Sequence, residues 1–107
     1  AAEMQVSAES ILKGDGSVVD KNGRDVTQQF IQGAEKSLEK GITSGVEFAI
    51  LKSRSPSCGI GKIYDGTFTH SITKGDGIFT HLCRQWGITC ISSDDSDQIK
   101  KTLEKLK

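Results

Sequence analysis

The sequence has little of several features that define whole classes of protein. Its 107 residues include one proline, one tryptophan and one tyrosine, and its 14 basic and 14 acidic side chains cancel. No apolar run approaches the roughly 20 residues of a membrane helix, and the first residues lack the basic-then-apolar pattern of a secretory signal. No excess charge draws the chain to nucleic acid or an anionic membrane, so we expect neither partner and a cytoplasmic protein.

Cysteine is also scarce. The three thiols, Cys58, Cys83 and Cys90, are an odd number without the close spacing of a small disulfide scaffold. We therefore expect them to be reduced. Cys83 and Cys90 lie within apolar patterns, and we interpret both as small core residues.

The remaining thiol, Cys58, lies in a loop rich in Gly, Ser and Pro that directly follows the apolar run 46–51. In α/β proteins, a loop that leaves the carboxyl end of a parallel strand faces the crevice where ligands bind. An arginine four residues earlier, Arg54, favours the thiolate form of the cysteine. Cys58 is therefore the first candidate for a functional residue.

The pattern of apolar residues changes sharply along the first part of the chain. Residues 1–24 hold few apolar positions and two turn signals, which predict a loop with a small hairpin. Beyond Asp25, which can cap a helix, apolar residues recur at helical spacing. This pattern predicts a helix over about 26–40 that ends near Gly41 or Gly45.

Strands and helices alternate in the remainder. A mostly buried strand is predicted over 46–51, followed by a glycine-rich connector over 59–77 whose length suggests a functional loop. Asp76 can cap the next helix, whose apolar face includes Cys83 and Trp86. A second strand over 88–91 and a last helix complete the pattern; this helix starts at Asp94 or Asp95 and turns Ile99, Leu103 and Leu106 inward.

The alternation predicts an open α/β fold in one domain over 1–107. Right-handed crossovers imply a mostly parallel sheet with flanking helices, as in a Rossmann-like three-layer sandwich. Two strands make a narrow sheet for three helices. We therefore expect that a strand which pairs with them is missing, and that the fold is truncated at its amino terminus.

Three blocks of sequence carry a resemblance to a known family. They are Asp20 to Thr27 (DKNGRDVT), Phe48 to Gly59 (FAILKSRSPSCG), and Ile63 to Phe68 (IYDGTF) together with Gly75 to Gly77. These blocks resemble the bacterial family known as domain of unknown function 523, whose characterised members are 2-thiouracil desulfidases. The resemblance extends over about 10–92, and the Ser-Arg-Ser-Pro-Ser-Cys-Gly block is its most specific part.

The resemblance implies an enzyme with a 4Fe-4S cluster on three cysteines, whose fourth iron is open to the sulfur of a thiolated pyrimidine. Cys58 matches one ligand, and Ser55 matches a serine near the cluster that would bond the substrate or relay a proton. The other two ligands belong to a Cys-Leu-Leu-Gly turn and a Cys-Pro-Glu turn that precede this region in the family, and neither motif occurs in this sequence. We therefore expect a carboxyl-terminal portion of the family domain that alone is inactive and free of cluster; the alternative is a shortened family member that has lost the cluster.

Neighbouring residues have both a functional and a structural interpretation. Arg54, Ser57, Gly59 and Asp65 are candidates for contacting substrate or for shaping the site loop. Ser55 and Asp65 are equally explained as turn residues, and Asp76 is better explained as a cap. The two histidines, His70 and His81, have no zinc-like spacing with the cysteines, and we expect both on the surface.

Two other functions stay open. Gly59-Ile60-Gly61-Lys62 favours anion or small-ligand binding without catalysis, although the spacing of a Walker motif is absent. Alternatively, the chain preserves part of a fold and has no activity. An open sheet edge left by a missing strand would favour a homodimer.

Overall fold

The computed structural model describes residues 2–105, which contain six strands and four helices. In chain order these are β1 (Ala2–Met4), α1 (Ala8–Leu12), β2 (Val18–Asp20), α2 (Thr27–Thr43), β3 (Phe48–Leu51), β4 (Lys62–Tyr64), β5 (Ile72–Lys74), α3 (Ile78–Gln85), β6 (Thr89–Ser92) and α4 (Ser96–Lys105). Within this range β3 pairs with β6 in parallel, while β1–β2 and β4–β5 are antiparallel pairs. The predicted α/β class, with parallel strands and flanking helices, is confirmed.

The parallel pair β3–β6 positions the cysteine loop. Phe48 lies opposite Thr89 and Leu51 opposite Ser92. The chain between the two strands returns through α3, which packs against α2 and β6. The loop that carries Cys58 therefore leaves the carboxyl end of a parallel strand, as the sequence predicted.

Strand β3 is less buried than its apolar run suggests. Leu51 is buried, but Ile50 is 46 % exposed and Val46 is 41 % exposed. The reason is that β3 pairs only with β6 in the described part of the chain, whereas a central strand has neighbours on both sides. The prediction of a mostly buried strand is wrong at Val46 and Ile50.

The first 24 residues hold more regular structure than a loop with a hairpin. Ala2 to Met4 pair with Val18 to Asp20, and helix α1 lies between the two strands in the chain. Met4, Ile11 and Val18 are at most 1 % exposed and belong to the main core. The predicted small hairpin is present, because Val19 and Asp25 form an antiparallel bridge on either side of residues 21–24. Strand β1 and helix α1 were not predicted, because each is too short to show a periodic apolar pattern.

Helix α2 starts and ends close to the predicted residues. Its N-cap residue is Val26 and not Asp25; the Asp25 carboxylate instead accepts hydrogen bonds from the backbone N–H of Thr27, at 2.9 Å, and from its hydroxyl. At the other end Gly45, with a φ of +72°, takes the left-handed conformation that commonly follows a helix. Gly45 therefore ends the helix, and Gly41 lies inside it.

Two predictions about helix faces are wrong. Trp86 follows the last residue of α3 and is 63 % exposed, because the helix ends before that position. Helix α4 has no buried residue, and Leu103 is 49 % exposed. An amphipathic pattern gives a helix an apolar face but does not supply a partner to cover it. Leu106, the third residue predicted to face inward, lies outside the described residues.

None of the helices between residues 2 and 105 is long and apolar enough to cross a membrane.

The core consists of two clusters of buried residues that α3 joins. The first contains Met4, Ala8, Ile11, Val18, Ala34, Ile63 and Ile78, and the second contains Leu38, Cys83 and Ile88. Phe79 and Leu82 of α3 pack against both clusters. Displacement of α3 would therefore disturb the whole core as well as the cysteine loop.

The two isoleucines of the β4–β5 pair provide a matched test of this core. Ile63 is 2 % exposed and Ile72 is 43 % exposed. We expect Ile63→Ala to lower the free energy of unfolding by about 2–5 kcal/mol, because it leaves a cavity in the first cluster. Ile72→Ala should change it by less than about 1 kcal/mol. Urea denaturation of both variants measures the difference, and equal losses would contradict the described core.

Candidate functional site

Ser55 forms the turn that carries Cys58. The side-chain oxygen of Ser55 accepts the backbone N–H of Cys58 at 2.7 Å, and its carbonyl accepts the N–H of Gly59 at 2.9 Å. Pro56 between them restricts φ and lacks an N–H that would need a partner. Since a hydroxyl can accept and donate at once, the proton of Ser55 stays available to a ligand. The turn interpretation of Ser55 and a role in the site are thus compatible.

The amino end of α3 rests on the same turn. The N–H of Ile78 donates to the carbonyl of Pro56 at 2.6 Å. The N–H groups of Phe79 and Thr80 donate to the carbonyl of Ser57 at 2.8 and 3.2 Å. The first N–H groups of a helix have no partner within it, and here the site loop supplies their acceptors. The loop and the helix therefore fix each other.

Two glycines allow this close packing. A Cβ atom at Gly77 would lie 2.3 Å from the carbonyl carbon and oxygen of Ser57 and 2.6 Å from the nitrogen of Cys58. A Cβ atom at Gly59 would lie 2.8 Å from the carbonyl oxygens of Ser55 and Lys62. Backbone atoms cannot move aside as a flexible side chain does, so glycine is needed at both positions. Gly59 thus shapes the loop.

Asp76 does not cap α3 as predicted. The N-cap residue is Gly77, and no side chain caps the helix there. Instead one carboxylate oxygen of Asp76 accepts the N–H of Gly61 at 2.7 Å, and the other pairs with Arg84 at 2.8 Å. The capping prediction failed because the loop carbonyls already accept the N–H groups at the helix start.

A cavity of about 490 Å³ adjoins the loop. Its walls are Lys52, Ser53, Arg54, Ser55 and Pro56 from the loop and Ala2, Glu3, Phe30, Tyr64 and His70 from elsewhere. The buried carboxylate of Glu3 accepts the N–H groups of Gly66 and Phe68 at 3.0 and 3.2 Å, which joins β1 to the 65–70 turn. Arg54 and Ser55, both singled out from the sequence, meet here.

Sequence reasoning missed the contribution of Glu3 and Phe30 to this cavity. Each lies far along the chain from the cysteine loop, and no local pattern marks it. Tyr64 and His70 are nearer, and their rings meet edge to face at a centroid distance of 6.0 Å. His70 is exposed as predicted, whereas His81 is half-buried and its ring contacts the Gln85 side chain.

Three residues near the cavity hold left-handed backbone conformations that side chains disfavour. The φ angles are +65° at Arg54, +59° at Phe68 and +62° at His70. The carbonyl of Arg54 accepts the N–H of Tyr64 at 3.3 Å, which connects the loop to β4. Such conformations persist only where the surrounding structure holds them.

Asp65 and Ser57 have local contacts. Asp65 accepts the N–H and the hydroxyl of Thr67 at 3.0 and 2.6 Å, and these bonds lower the pKa of its carboxyl. This geometry supports the turn interpretation of Asp65. The hydroxyl of Ser57 lies 3.7 Å from the Cys58 sulfur, and Ser57 also lines a second cavity of about 330 Å³ against α2.

The three cysteines differ in environment. Cys58 is half-buried in the loop, and neither of these two cavities has it in its walls. Cys83 is fully buried, as predicted, and burial raises its pKa to about 12. Burial also raises the pKa of Cys90, which is half-buried. Cys83 belongs to the second core cluster, and Cys90 packs against it.

An iron-sulfur cluster needs about three or four thiolates. Within residues 2–105, no three His, Cys, Asp or Glu side chains are grouped so that they could hold a metal ion. The described residues therefore do not form a complete cluster site.

Comparisons with known proteins agree with one another. The family model described as 2-thiouracil desulfurase matches residues 2–95. An uncharacterized protein, YbbK of Bacillus subtilis (strain 168), is 37 % identical over 93 residues, which cover 87 % of this chain and 62 % of YbbK. The solved structure of the 4Fe-4S-dependent thiouracil desulfidase TudS has 38 % identity and a TM-score of 0.80, over 96 % of this chain and 62 % of that one. The chain thus spans less than two thirds of either relative.

Gly77 and Gly33 form a matched pair for testing the contact between α3 and the loop. A Cβ atom at Gly77 would collide with the loop backbone, while one at Gly33 would meet nothing within 4 Å. We expect Gly77→Ala to lower the free energy of unfolding by about 1–3 kcal/mol through overpacking. Gly33→Ala, within exposed α2, should raise it by about 0.5–1 kcal/mol. A Gly77→Ala variant as stable as the parent in urea would refute the close contact.

Proposed function

Because the chain belongs to the 2-thiouracil desulfurase family, we propose that it is the part of an iron-sulfur desulfidase that supplies Cys58 as a cluster ligand and Ser55 as a substrate-facing hydroxyl. The observation that carries this proposal is the turn in which the Ser55 oxygen accepts the Cys58 N–H. It holds a candidate ligand and a candidate catalytic group three residues apart, on a loop that α3 fixes.

The substrate we propose is a thiolated pyrimidine, bound in the cavity beside Ser55. A volume of about 490 Å³ is within the range of small-molecule sites. Phe30 and Tyr64 offer aromatic walls to a flat ring, and Ser55 and Arg54 offer hydrogen-bond donors to its polar edge. The name of the solved relative, thiouracil desulfidase, supports this substrate class.

The roles of Ser55 and Arg54 follow from their hydrogen-bonding capacity. Ser55 would donate its free proton to a ring nitrogen or oxygen, or relay a proton, while its oxygen continues to accept the Cys58 N–H. Arg54 would orient the pyrimidine from the cavity wall. Ser57, Gly59 and Asp65 would act by shaping the loops around them.

We propose that the remaining cluster thiolates come from sequence outside this chain, of which the chain is a carboxyl-terminal portion. Two observations support this. The chain covers 62 % of each relative, and its other two cysteines belong to or pack against the second core cluster. On this proposal, the 107 residues alone bind no stable cluster and release no sulfide.

Binding of a small anion without catalysis is the second candidate function. The observation that favours it is the set of basic residues around the cavity, Lys52, Arg54 and His70. The glycine loop itself is a weaker argument than the sequence suggested, because the N–H of Gly61 already donates to Asp76.

The test uses this chain and a chimera that also carries the part of TudS that this chain does not match. After anaerobic incubation with iron and sulfide, we expect stoichiometric iron and acid-labile sulfide in the chimera, and sulfide release from 2-thiouracil. Both should disappear in Cys58→Ser, because a ligand is lost, and persist in Cys90→Ser, the matched control.

Three results would contradict the proposal. They are a stoichiometric cluster in the 107-residue chain alone, a cluster that survives Cys58→Ser in the chimera, or a chimera that folds and takes up no iron. Calorimetry with 2-thiouracil and with inorganic phosphate then separates the candidates. Phosphate binding without a cluster would favour the anion-binding module.

We also propose that copies of this chain associate through the open edge of β3. The support is that β3 has one pairing partner among the described strands and exposes Ile50, and that Val46, two residues before β3, is also exposed. We expect sedimentation to show dimers, and Ile50→Lys to give monomers because a charge on an edge strand opposes pairing. Ile72→Lys, on exposed β5, is the control and should stay dimeric. A parent chain that is monomeric at high concentration would refute this association.

A further inference from the structure

Asp76 connects the end of the site loop to helix α3 through both oxygens of its carboxylate. One oxygen accepts the N–H of Gly61 at 2.7 Å, and the other pairs with a guanidinium nitrogen of Arg84 at 2.8 Å. Asp76 and Gly61 are 15 residues apart, so the bond is a tertiary contact and not a local turn. The Asp76 side chain is 20 % exposed and the Arg84 side chain 50 %.

Two backbone hydrogen bonds accompany this contact. The N–H of Gly75 donates to the carbonyl of Gly61 at 3.1 Å, and the N–H of Gly77 donates to the carbonyl of Gly59 at 2.8 Å. Segment 75–77 therefore runs beside segment 59–61 and is bonded to it at three points. Cys58 belongs to the turn that Ser55 forms and directly precedes this double segment in the chain.

The glycines of the loop leave its backbone free to change conformation, so the loop depends on the bond from Gly61 to Asp76, which we call the tether. Gly61 has a φ of +71°, and with Gly59 it gives the chain after Cys58 unusual conformational freedom. A carboxylate is a stronger acceptor than a neutral oxygen, so its bond to Gly61 restricts that freedom effectively. The pair with half-exposed Arg84 contributes little stability by itself. Its effect is to orient the carboxylate so that one oxygen faces Gly61.

We infer that Asp76 is a positioning residue for Cys58 and that Arg84 orients Asp76. The inference deepens the proposed function, since it concerns the residue proposed as cluster ligand. Its test uses the thiol of the chain without a cluster. Failure of the chimera to bind iron would therefore leave this inference standing, and its own failure would leave the family assignment unaffected.

The test compares Asp76→Ala, Asp76→Asn and Arg84→Gln in the 107-residue chain. Two quantities are measured: amide hydrogen exchange at Gly61, and the rate at which iodoacetamide alkylates Cys58, followed by peptide mass mapping. We expect Asp76→Ala to accelerate both by roughly tenfold or more, because the Gly61 N–H loses a charged acceptor. Asp76→Asn keeps an oxygen acceptor and should accelerate both less. Arg84→Gln should resemble Asp76→Asn.

Asp20→Ala is the matched control. The carboxylate of Asp20 also accepts backbone N–H groups, those of Asn22 and Arg24 at 2.9 and 3.0 Å, but it does so within its own turn. It should leave the alkylation of Cys58 unchanged. The amide of Val18, which donates to the Thr27 hydroxyl, reports on the rest of the fold and should exchange at the parent rate in the Asp76 variants.

Several outcomes would overturn the inference. Equal acceleration at Val18 and Gly61 would mean that Asp76 stabilises the whole fold. Faster exchange at Gly61 with an unchanged alkylation rate would mean that the tether does not reach Cys58. Should Asp76→Ala fail to fold, the other two variants decide the question, and parent rates at Cys58 in both would refute the inference.

Discussion

The contact on which this structure depends is the seating of the α3 amino terminus on the carbonyl groups of Pro56 and Ser57. Three N–H groups of the helix find their acceptors there, and Gly77 lets the two backbones approach closely. The same helix joins both clusters of the core. Core packing and site geometry are thus coupled, because the loop supplies the hydrogen-bond acceptors for α3 and α3 in turn packs into the core.

The three cysteine side chains lie in two kinds of environment, one apolar and one polar. Cys83 and Cys90 lie against apolar neighbours, where burial raises the thiol pKa and keeps the sulfur protonated. Cys58 lies in a polar turn with two serines beside it. The proposed function rests on the family assignment and on the span of 62 % of each relative together, because one thiolate alone cannot hold an iron-sulfur cluster.

Much of this arrangement could be predicted from the sequence, and the failures have physical causes. Segments with apolar residues at helical spacing predicted α2 and α3. The apolar run before a serine-rich loop predicted that Cys58 follows the end of a strand. Strand β1 and helix α1 were missed because segments of three to five residues carry no periodicity. Asp76 was misassigned because an acidic residue before a helix fits a cap and a tertiary tether equally well. Glu3 lies far from the cysteine loop in the sequence, and only the folded chain brings it to the cavity wall.

The left-handed backbone conformations of three residues around the cavity limit which substitutions these positions can accept. Arg54, Phe68 and His70 each adopt a backbone conformation that only glycine takes without cost. Replacement by glycine would relax the local geometry, yet it would remove the guanidinium and imidazole that line the opening. At Arg54 and His70, relief of backbone strain and retention of the side chains that line the cavity therefore make opposing demands.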